Sequence, residues 1–282
     1  MMKVRKAVIP AAGHGTRFLP VTKAVPKEML AIIDAPALQY IAQEAADSGI
    51  EDILVVINRK KESIRDYFTK YDLACDAERT LNALLEKVRF SFVYQEDATG
   101  TAMAVELARD FTGEEPFAVM YGDDVIVNRG GSPCLAQLIE AYNGTGKSIV
   151  GVQERPPEEA AKYAVVKKGK TQGRLTELCD LIEKPQPQDM PSTLSSLGRY
   201  ILTPGIYSAI ERAPSFRGEK YLTHAVAELA KTEGAYAYEF EGRRYDLGDK
   251  FGFLQANVEL GLDRFGKKAA EYIKAVAAGL EE

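Results

Sequence analysis

Cysteine and histidine are scarce in this sequence, and neither forms a pattern typical of a metal site. The three cysteines, Cys75, Cys134 and Cys179, are odd in number, widely separated and without a CxxC spacing. We therefore interpret them as reduced packing residues, which suits a cytosolic protein. The two histidines, His14 and His224, lie too far apart in sequence to suggest that they share a metal ion.

The sequence also lacks an excess of positive charge and a long hydrophobic run. Its 36 basic and 41 acidic residues give a net charge of −5 without a basic tail or stripe, which argues against non-specific nucleic-acid binding. The apolar run in the opening MMKVRKAVIPAAG is too short for a signal peptide, and no apolar stretch of about 18 residues follows. We expect a cytoplasmic enzyme that is neither exported nor embedded in a membrane.

Predicted strands and helices alternate through the first half of the chain. The strands cover residues 4–10, 52–58, 88–94, 116–121 and 148–153. Helices are predicted between them, the first starting at Pro36 and ending before Gly49, and the others over 61–69, 77–87, 101–109 and 133–142. This alternation predicts a mainly parallel sheet that is covered by helices on both faces.

The pattern changes after residue 155. Strands over 163–168, 175–183 and 197–202 follow one another without long helices between them. The remaining elements are predicted helices and strands at 205–212, 221–231, 235–246, 250–264 and 267–279. Because no long polar linker is visible, we predict a single domain over residues 1–282. Its first half, about 1–155, would bind a nucleotide, and its second half, about 156–282, the other substrate.

The loop after the first predicted strand, AAGHGTRFLP, indicates a phosphate site. Ligands of open α/β sheets bind at the C-terminal ends of the strands. Gly13 and Gly15 let backbone N–H groups approach a phosphate without an obstructing Cβ, and Arg17 and Lys27 bring positive charge. Phe18 stands where a dinucleotide-binding fingerprint has its third glycine, and no Gly-Lys-Ser/Thr closes the loop. The loop is therefore neither that motif nor a P-loop.

Charged residues also follow other predicted strands. Asp123 and Asp246 are placed where a carboxylate can bind Mg²⁺ beside substrate phosphates, although each could equally be an ordinary polar turn. Asp124, one residue further along an extended strand end, is expected to point away from Asp123. Glu183 and Lys184 could bind a sugar hydroxyl and a phosphate, or could be a solvated pair.

Together these segments resemble the bacterial UTP–glucose-1-phosphate uridylyltransferases, which are sugar-1-phosphate nucleotidyltransferases. The longest matching stretch is KAVIPAAGHGTRFLPVTKAVPKEMLAIIDAPALQY, over residues 6–40. Asp123, IEKP at 182–185, GRY at 198–200 and DLGDKFGFLQA at 246–256 follow in the family's order. The similarity spans about residues 6–264. It implies a Rossmann-like nucleotidyltransferase fold with a mixed, mostly parallel central sheet and helices on both faces.

The resemblance also implies an Mg²⁺-dependent reaction between UTP and glucose 1-phosphate in a homodimer or homotetramer. The residues implied for nucleotide binding are Ala11, Ala12, Gly13, Gly15, Thr16, Arg17, Lys27, Glu28, Gln95 and Gly100. Those implied for the sugar phosphate are Gly122, Ala164, Glu183 and Lys184. The implied metal ligands are Asp123 and Asp246, and the implied catalytic cations are Arg17, Lys27 and Lys184.

The chain departs from the family pattern at several positions. His14 replaces a leucine in the glycine loop, Gly122 a proline, Ala164 a glycine and His224 an aspartate. The segment TGTAMA, residues 99–104, replaces a Gly-Leu-Gly-His-Ala type segment and resembles the related acetylglucosamine-1-phosphate enzymes. None of these changes removes a charged group that the reaction needs.

Two alternative functions remain open from the sequence. Thymidylyl transfer to glucose 1-phosphate uses the same chemistry, and a pocket distinguishes one methyl group by only about 1–3 kcal/mol. The segment PKEML at 26–30 favours the uridylyl branch. A non-catalytic sugar-nucleotide sensor would be expected to lose a phosphate or metal group, whereas this chain keeps all of them.

Overall fold

The strands of the chain are grouped by the sheets that they form. The computed structural model describes residues 2–69, 79–97, 99–216 and 218–279. The main sheet contains β1 (Lys6–Pro10), β4 (Asp52–Ile57), β5 (Arg89–Tyr94), β6 (Phe117–Met120), β8 (Ser148–Glu154), β9 (Ala164–Gln172), β10 (Leu175–Glu183), β11 (Leu194–Leu202) and β12 (Ala235–Glu239). Two small antiparallel ribbons pair β2 (Ala31–Ile32) with β3 (Ala35–Pro36), and β7 (Asp124–Val127) with β13 (Arg243–Asp246).

The helices lie between these strands. In chain order they are α1 (Ala37–Asp47), α2 (Glu62–Thr69), α3 (Arg79–Lys87), α4 (Thr101–Glu106), α5 (Arg109–Thr112), α6 (Cys134–Thr145), α7 (Pro157–Ala160), α8 (Ile206–Arg212), α9 (Leu222–Glu233), α10 (Lys250–Phe265) and α11 (Lys267–Ala278). The predicted elements recur with shifted ends, except that the helix predicted over 101–109 is divided into α4 and α5. Residues 77–78 of another predicted helix lie outside the described residues.

The main sheet is mixed, and its strand order is β5-β4-β1-β6-β11-β8-β12-β10-β9. The strands β5, β4, β1 and β6 are parallel, as is the pair β8 and β12. Antiparallel pairing joins β11 to β6 and β8, and β10 to β12 and β9. The mixed α/β sheet is confirmed, but parallel pairing dominates only in the first half, because the later strands are joined without long crossover helices.

Helices cover both faces of the sheet. On β1, Ala7 and Ile9 belong to one buried cluster and Val8 to another, since successive strand residues point to opposite faces. The first cluster includes apolar residues of α1, α3 and α6, and the second includes those of α4, α8 and α9. Because β11 from the second half lies between β6 and β8, one sheet carries strands from both halves.

Two features of the described residues bear on the expectations about cysteine and membrane insertion. Cys134 is buried, which confirms the packing prediction, but Cys179 is exposed, so that prediction is wrong there. Alternate residues of β10 face solvent, and Cys179 lies on that side; Cys75 is outside the described residues.

Within 2–69, 79–97, 99–216 and 218–279, no helix combines the length and apolarity needed to cross a bilayer.

Candidate active site

A cavity of about 1170 Å³ opens at one end of the sheet. Residues directly after β1, β4, β5 and β6 line it, as expected for a ligand crevice at the C-terminal ends of parallel strands. Residues at the start of β9 and at the end of β10, from the second half of the chain, form another wall. The cavity brings together most of the predicted site residues, namely Ala12, Gly13, Gly15, Thr16, Arg17, Lys27, Glu28, Gln95, Gly100, Asp123, Ala164, Glu183, Lys184 and Asp246.

The glycine loop forms one wall of the cavity. Gly15 has φ +64°, a left-handed conformation that glycine adopts without strain, and a short 3-10 turn follows over Thr16–Phe18. A Cβ at Gly15 would lie 3.5 Å from the Cβ of Lys27, so the loop and this lysine are neighbours. The Arg17 side chain is exposed beside them. The loop and Lys27 therefore bring backbone groups and two cations to the cavity, which suits phosphate oxygens.

Ala11 and Gly122 do not line the cavity, contrary to the expectation for them. The N–H of Ala11 donates to the carbonyl of Val56 at 2.8 Å, and its carbonyl accepts from Nζ of Lys61 at 2.6 Å. Both backbone groups of Ala11 are thus occupied, and its side chain is buried. Gly122 lies behind the wall, where a Cβ would be 3.1 Å from Cγ of Glu28.

Asp123 and Asp246 converge around Gly248. A Cβ at Gly248 would lie 2.9 Å from Oδ2 of Asp123 and 3.0 Å from Oδ1 of Asp246. The same point is 2.9 Å from Nη2 of Arg17, so two carboxylates and the loop arginine meet where only glycine fits. The antiparallel ribbon β7–β13, which places Asp246 opposite Asp124, brings them together. The two carboxylates are thus brought together by a separate antiparallel ribbon rather than by the main sheet.

Lys27 neutralises Asp123. Its Nζ lies 2.5 Å from Oδ2 of Asp123. Burial lowers the pKa of Lys27, but the carboxylates of Asp123 and Glu28 outweigh it and leave that pKa raised. Burial raises the pKa of Asp123, whereas Lys27 and Arg244 together hold it below its usual value. Both groups are therefore charged at neutral pH.

Asp246 is held in position by a second group of polar and charged residues, formed by Tyr163, Arg244 and Asp124. Tyr163 donates its hydroxyl to Oδ2 of Asp246 at 2.8 Å, and Nη1 of Arg244 donates to the Tyr163 oxygen at 2.9 Å. Arg244 also forms a buried ion pair with Asp124. Burial, with Asp123 and Asp246 nearby, raises the pKa of Asp124 to about 6 despite Arg244. Asp124 was expected to point away from Asp123, and its carboxylate lies in a buried network with Arg244.

The turn after β5 is held by Gln95. Its Nε2 donates to Oγ1 of Thr99 and to the carbonyl of Gly100, both at 3.1 Å. Gly100 has φ +99°, and a Cβ there would lie 2.3 Å from the carbonyl oxygen of Lys220. Only glycine allows this approach between the two halves of the chain. Gln95 thus has a structural task, and nucleotide binding stays a prediction for it.

Glu183 and Lys184 face the cavity from the end of β10. Oε2 of Glu183 accepts a 2.8 Å hydrogen bond from Oγ1 of Thr223 on α9. Ala164 lies opposite Glu183 in the pairing of β9 with β10. Lys184 has φ +42°, an unusual conformation for a residue other than glycine, and its side chain is 62% exposed. The lysine is therefore positioned by a constrained backbone and is available to an anion.

Glu28 has a buried partner. Nζ of Lys61 donates to Oε1 and Oε2 of Glu28 at 2.9 and 2.7 Å. The side-chain exposures are 6% for Lys61 and 1% for Glu28, so this is an interior ion pair at the base of the cavity. Lys61 was not predicted from the sequence, because nothing in its local segment distinguishes it from the surface lysine before it.

Tyr163, Arg244 and Thr223 were also missed by sequence reasoning. Each is a single polar residue in or next to a regular element and matches no motif. The available signal was proximity, because Tyr163 precedes Ala164 and Arg244 lies two residues before Asp246. Among the residues that the structure describes, no three His, Cys, Asp or Glu side chains form a group that could hold a metal by themselves.

Comparison with known proteins gives similarity over nearly the whole chain. The model of the family described as Nucleotidyl transferase matches residues 6–261. UTP–glucose-1-phosphate uridylyltransferase YngB of Bacillus subtilis (strain 168) is 43% identical over 272 residues, covering 93% of this chain and 91% of that protein. UTP–glucose-1-phosphate uridylyltransferase 2 of Staphylococcus saprophyticus is 43% identical over 289 residues, covering 97% and 98%.

A solved structure shows the same relationship in three dimensions. UDP-glucose pyrophosphorylase complexed with UDP-glucose superposes on this chain with a TM-score of 0.88 at 37% sequence identity. The match covers 92% of this chain and 99% of that one. The fold of this chain therefore matches that of a protein whose structure was solved with UDP-glucose bound.

Proposed function

Since this chain belongs to the nucleotidyl transferase family, we propose that it transfers the uridylyl group of UTP to glucose 1-phosphate. The products are UDP-glucose and pyrophosphate. Relatives that are 43% identical over almost their full length are named for this reaction. One observation of the structure carries the proposal. A single cavity is lined by the cationic glycine loop, by Glu183 and Lys184, and by Asp123 and Asp246, which converge at Gly248.

The reaction needs positioning and charge neutralisation rather than a general base. A phosphate oxygen of glucose 1-phosphate attacks the α-phosphorus of UTP. The bond between that phosphorus and the oxygen that bridges to the β-phosphate breaks, and its electrons leave with pyrophosphate. The attacking dianion has no proton to lose. Arg17 and Lys27 beside the glycine loop and Lys184 after β10 offset the repulsion between the two anions.

We propose Mg²⁺ as the cofactor of this reaction. Asp123 and Asp246 supply oxygen ligands of the type that Mg²⁺ prefers, and they converge at Gly248 next to Arg17. Two carboxylates alone make a weak site, so substrate phosphates are expected to complete the coordination. When bound, the ion would neutralise charge that develops on the phosphates. Lys27 and Tyr163 hold the two carboxylates in place.

The proposed activity is tested by measuring pyrophosphate release with four nucleoside triphosphates and several sugar 1-phosphates. We expect the highest kcat/KM for UTP with glucose 1-phosphate. A higher kcat/KM for the thymidine nucleotide would identify a thymidylyltransferase. Absence of turnover with every pair, despite nucleotide binding, would identify a non-catalytic sensor.

Replacing Lys184 is expected to separate the two substrates. Lys184→Ala should lower kcat by about 10²–10³-fold, because one preorganised positive group that acts on the reacting phosphates is lost. UTP binding should survive, since Lys184 follows β10 in the second half of the chain, whereas the glycine loop follows β1. Steady-state kinetics and equilibrium binding of UTP provide the measurement. Loss of UTP affinity with unchanged glucose 1-phosphate affinity would place Lys184 on the other substrate.

The hydrogen bond from Thr223 to Glu183 is expected to support sugar recognition. Thr223→Val keeps the shape but removes the donor at 2.8 Å, so the Glu183 carboxylate can turn away from the sugar. We expect KM for glucose 1-phosphate to rise by about 5- to 10-fold, equivalent to one ordinary hydrogen bond, with KM for UTP unchanged. Thr232→Val, on the exposed face of the same helix, is the matched control. Equal kinetic constants in both variants would contradict this role for Thr223.

We also propose a homodimer or homotetramer in the cytoplasm, where nucleoside triphosphates are made. Large apolar side chains remain exposed along α10, at Phe251, Leu254 and Val258, and further along at Tyr272 and Val276 of α11. A continuous apolar helix face of this kind is typical of a surface that another protein covers. Sedimentation equilibrium of the purified chain, compared with Leu254→Glu, tests both the oligomeric state and this face.

A further inference from the structure

Arg155 differs from the other buried or half-buried cations around the cavity. The others lie against carboxylates in the pairs Lys27–Asp123, Lys61–Glu28, Arg199–Glu44 and Arg244–Asp124. Arg155 is half-buried on the cavity wall directly after β8. It forms no ion pair with any carboxylate in the part of the chain that the structure describes. Its charge is therefore not neutralised by a carboxylate in direct contact with it.

The hydrogen bonds of the Arg155 side chain are incomplete as well. One terminal nitrogen donates to Oε1 of Gln153 at 2.9 Å. Its Nε is buried and has no hydrogen-bond partner among the described residues. A buried donor without an acceptor is costly, and folded proteins rarely keep one without a reason. Nε of Arg244 shares this feature, although Arg244 is paired with Asp124. The lack of an ion pair is therefore what distinguishes Arg155, and it indicates that a negatively charged acceptor from outside the chain binds there.

The electrostatic surroundings of Arg155 agree with this. Burial lowers its pKa, and the positive charge of Arg244 lowers it further, with only a weaker opposing effect from Glu159. A guanidinium remains protonated in spite of such shifts, so positive charge is concentrated at this wall of the cavity. A guanidinium fork matches the oxygens of a phosphate group, which it can bind through two parallel hydrogen bonds.

We infer that Arg155 binds the phosphate group of the sugar 1-phosphate, as a binding residue additional to Lys184. This inference rests on the proposed function. Its location favours the sugar phosphate over the triphosphate. Arg155 interacts electrostatically with Tyr163, and the carbonyl of Tyr163 accepts a hydrogen bond from the N–H of Lys184 at 3.1 Å. The glycine loop follows β1, which is separated in the sheet by β6 and β11 from β8, the strand that Arg155 follows.

The test compares Arg155→Gln with the wild type at saturating and limiting concentrations of each substrate. We expect KM for glucose 1-phosphate to rise by about 10- to 100-fold, the effect of losing hydrogen bonds to a charged group. KM for UTP should change by less than about twofold, because the contact that is removed is to the other substrate. Arg155→Lys, which keeps the charge but not the fork, should recover part of the loss. Arg212→Gln, an exposed arginine outside the cavity, is the control.

Other outcomes would overturn the inference in distinguishable ways. An unchanged KM for glucose 1-phosphate, with a raised KM for pyrophosphate in the reverse reaction, would place Arg155 on the leaving group. Full activity of Arg155→Gln in both directions would leave it without a role in substrate binding. Calorimetric titration with glucose 1-phosphate alone does not depend on turnover. Equal affinity in the wild type and Arg155→Gln there would contradict the inference even if the preferred nucleotide were not UTP.

Discussion

Asp123→Asn is expected to lower kcat by about 10²–10³-fold, the cost of removing one group from a preorganised electrostatic site. The substitution keeps the shape of the side chain and removes its charge. Asp123 is held by Lys27 and converges with Asp246 on Gly248. With half of the carboxylate charge gone, the proposed Mg²⁺ would bind more weakly. The concentration of Mg²⁺ that gives half-maximal rate should therefore rise.

A magnesium titration at saturating substrates provides the measurement. Asp246→Asn should show the same two changes, and the double variant should be less than additive because both carboxylates act on one ion. Asp110→Asn, an exposed aspartate outside the cavity, is the matched control. Binding of Mn²⁺ in the presence of UTP, followed by its paramagnetic signal, reports on the metal site without turnover. Normal metal dependence in Asp123→Asn would remove Asp123 from that site.

Asp124 behaves differently from what its sequence position indicates. The alternation of side chains along a strand end predicts that Asp124→Asn has little effect. The structure buries Asp124 against Arg244, which also supports Tyr163 and lies 3.4 Å from Asp246. Removing the carboxylate charge leaves a buried guanidinium with a weaker partner. We therefore expect Asp124 to be needed for stability, whereas Asp123 is needed for the reaction.

The first wall of the site could be predicted from sequence because its information is local. A buried strand, two glycines and the cations Arg17 and Lys27 lie within one continuous segment. Backbone geometry alone then places the loop at the end of β1, and Gly15 adopts the left-handed conformation that its residue type permits. The strand–helix alternation of the first half is equally local, so its elements were predicted with small errors at their ends.

The remainder depends on register between distant segments. Asp123 and Asp246 were expected to meet, but β7 was not predicted because a four-residue strand directly after a turn carries little periodic signal. Because β7 was not predicted, the pairing of Asp124 with Asp246 could not be predicted either. The same holds for the hydrogen-bond network through Arg244 and Tyr163. The extent of antiparallel pairing in the second half was also underestimated. Short connections between strands do not by themselves define which strands become neighbours.

Glu28 illustrates the same limit and leads to the largest expected effect on stability. Its partner Lys61 lies 33 positions further along the chain. Lys61→Met should lower the free energy of unfolding by about 3–5 kcal/mol, because it leaves a buried carboxylate without its counter-charge. It also removes the hydrogen bond to the carbonyl of Ala11, which anchors the start of the glycine loop. Urea unfolding measures the change.

The double variant Glu28→Gln/Lys61→Met separates the contribution of the ion pair from that of the hydrogen bond to Ala11. Removing both charges abolishes the unpaired buried carboxylate, so the double variant should be more stable than Lys61→Met alone. Replacing a buried ion pair by uncharged groups is often close to neutral, whereas breaking it from one side is not. Lys60→Met, the exposed neighbour of Lys61, is the matched control and should change stability by less than about 0.5 kcal/mol. If Lys61→Met and the double variant were equally unstable, the loss would come from the Ala11 hydrogen bond and from packing. The ion pair would then not be what holds Glu28 at the base of the cavity.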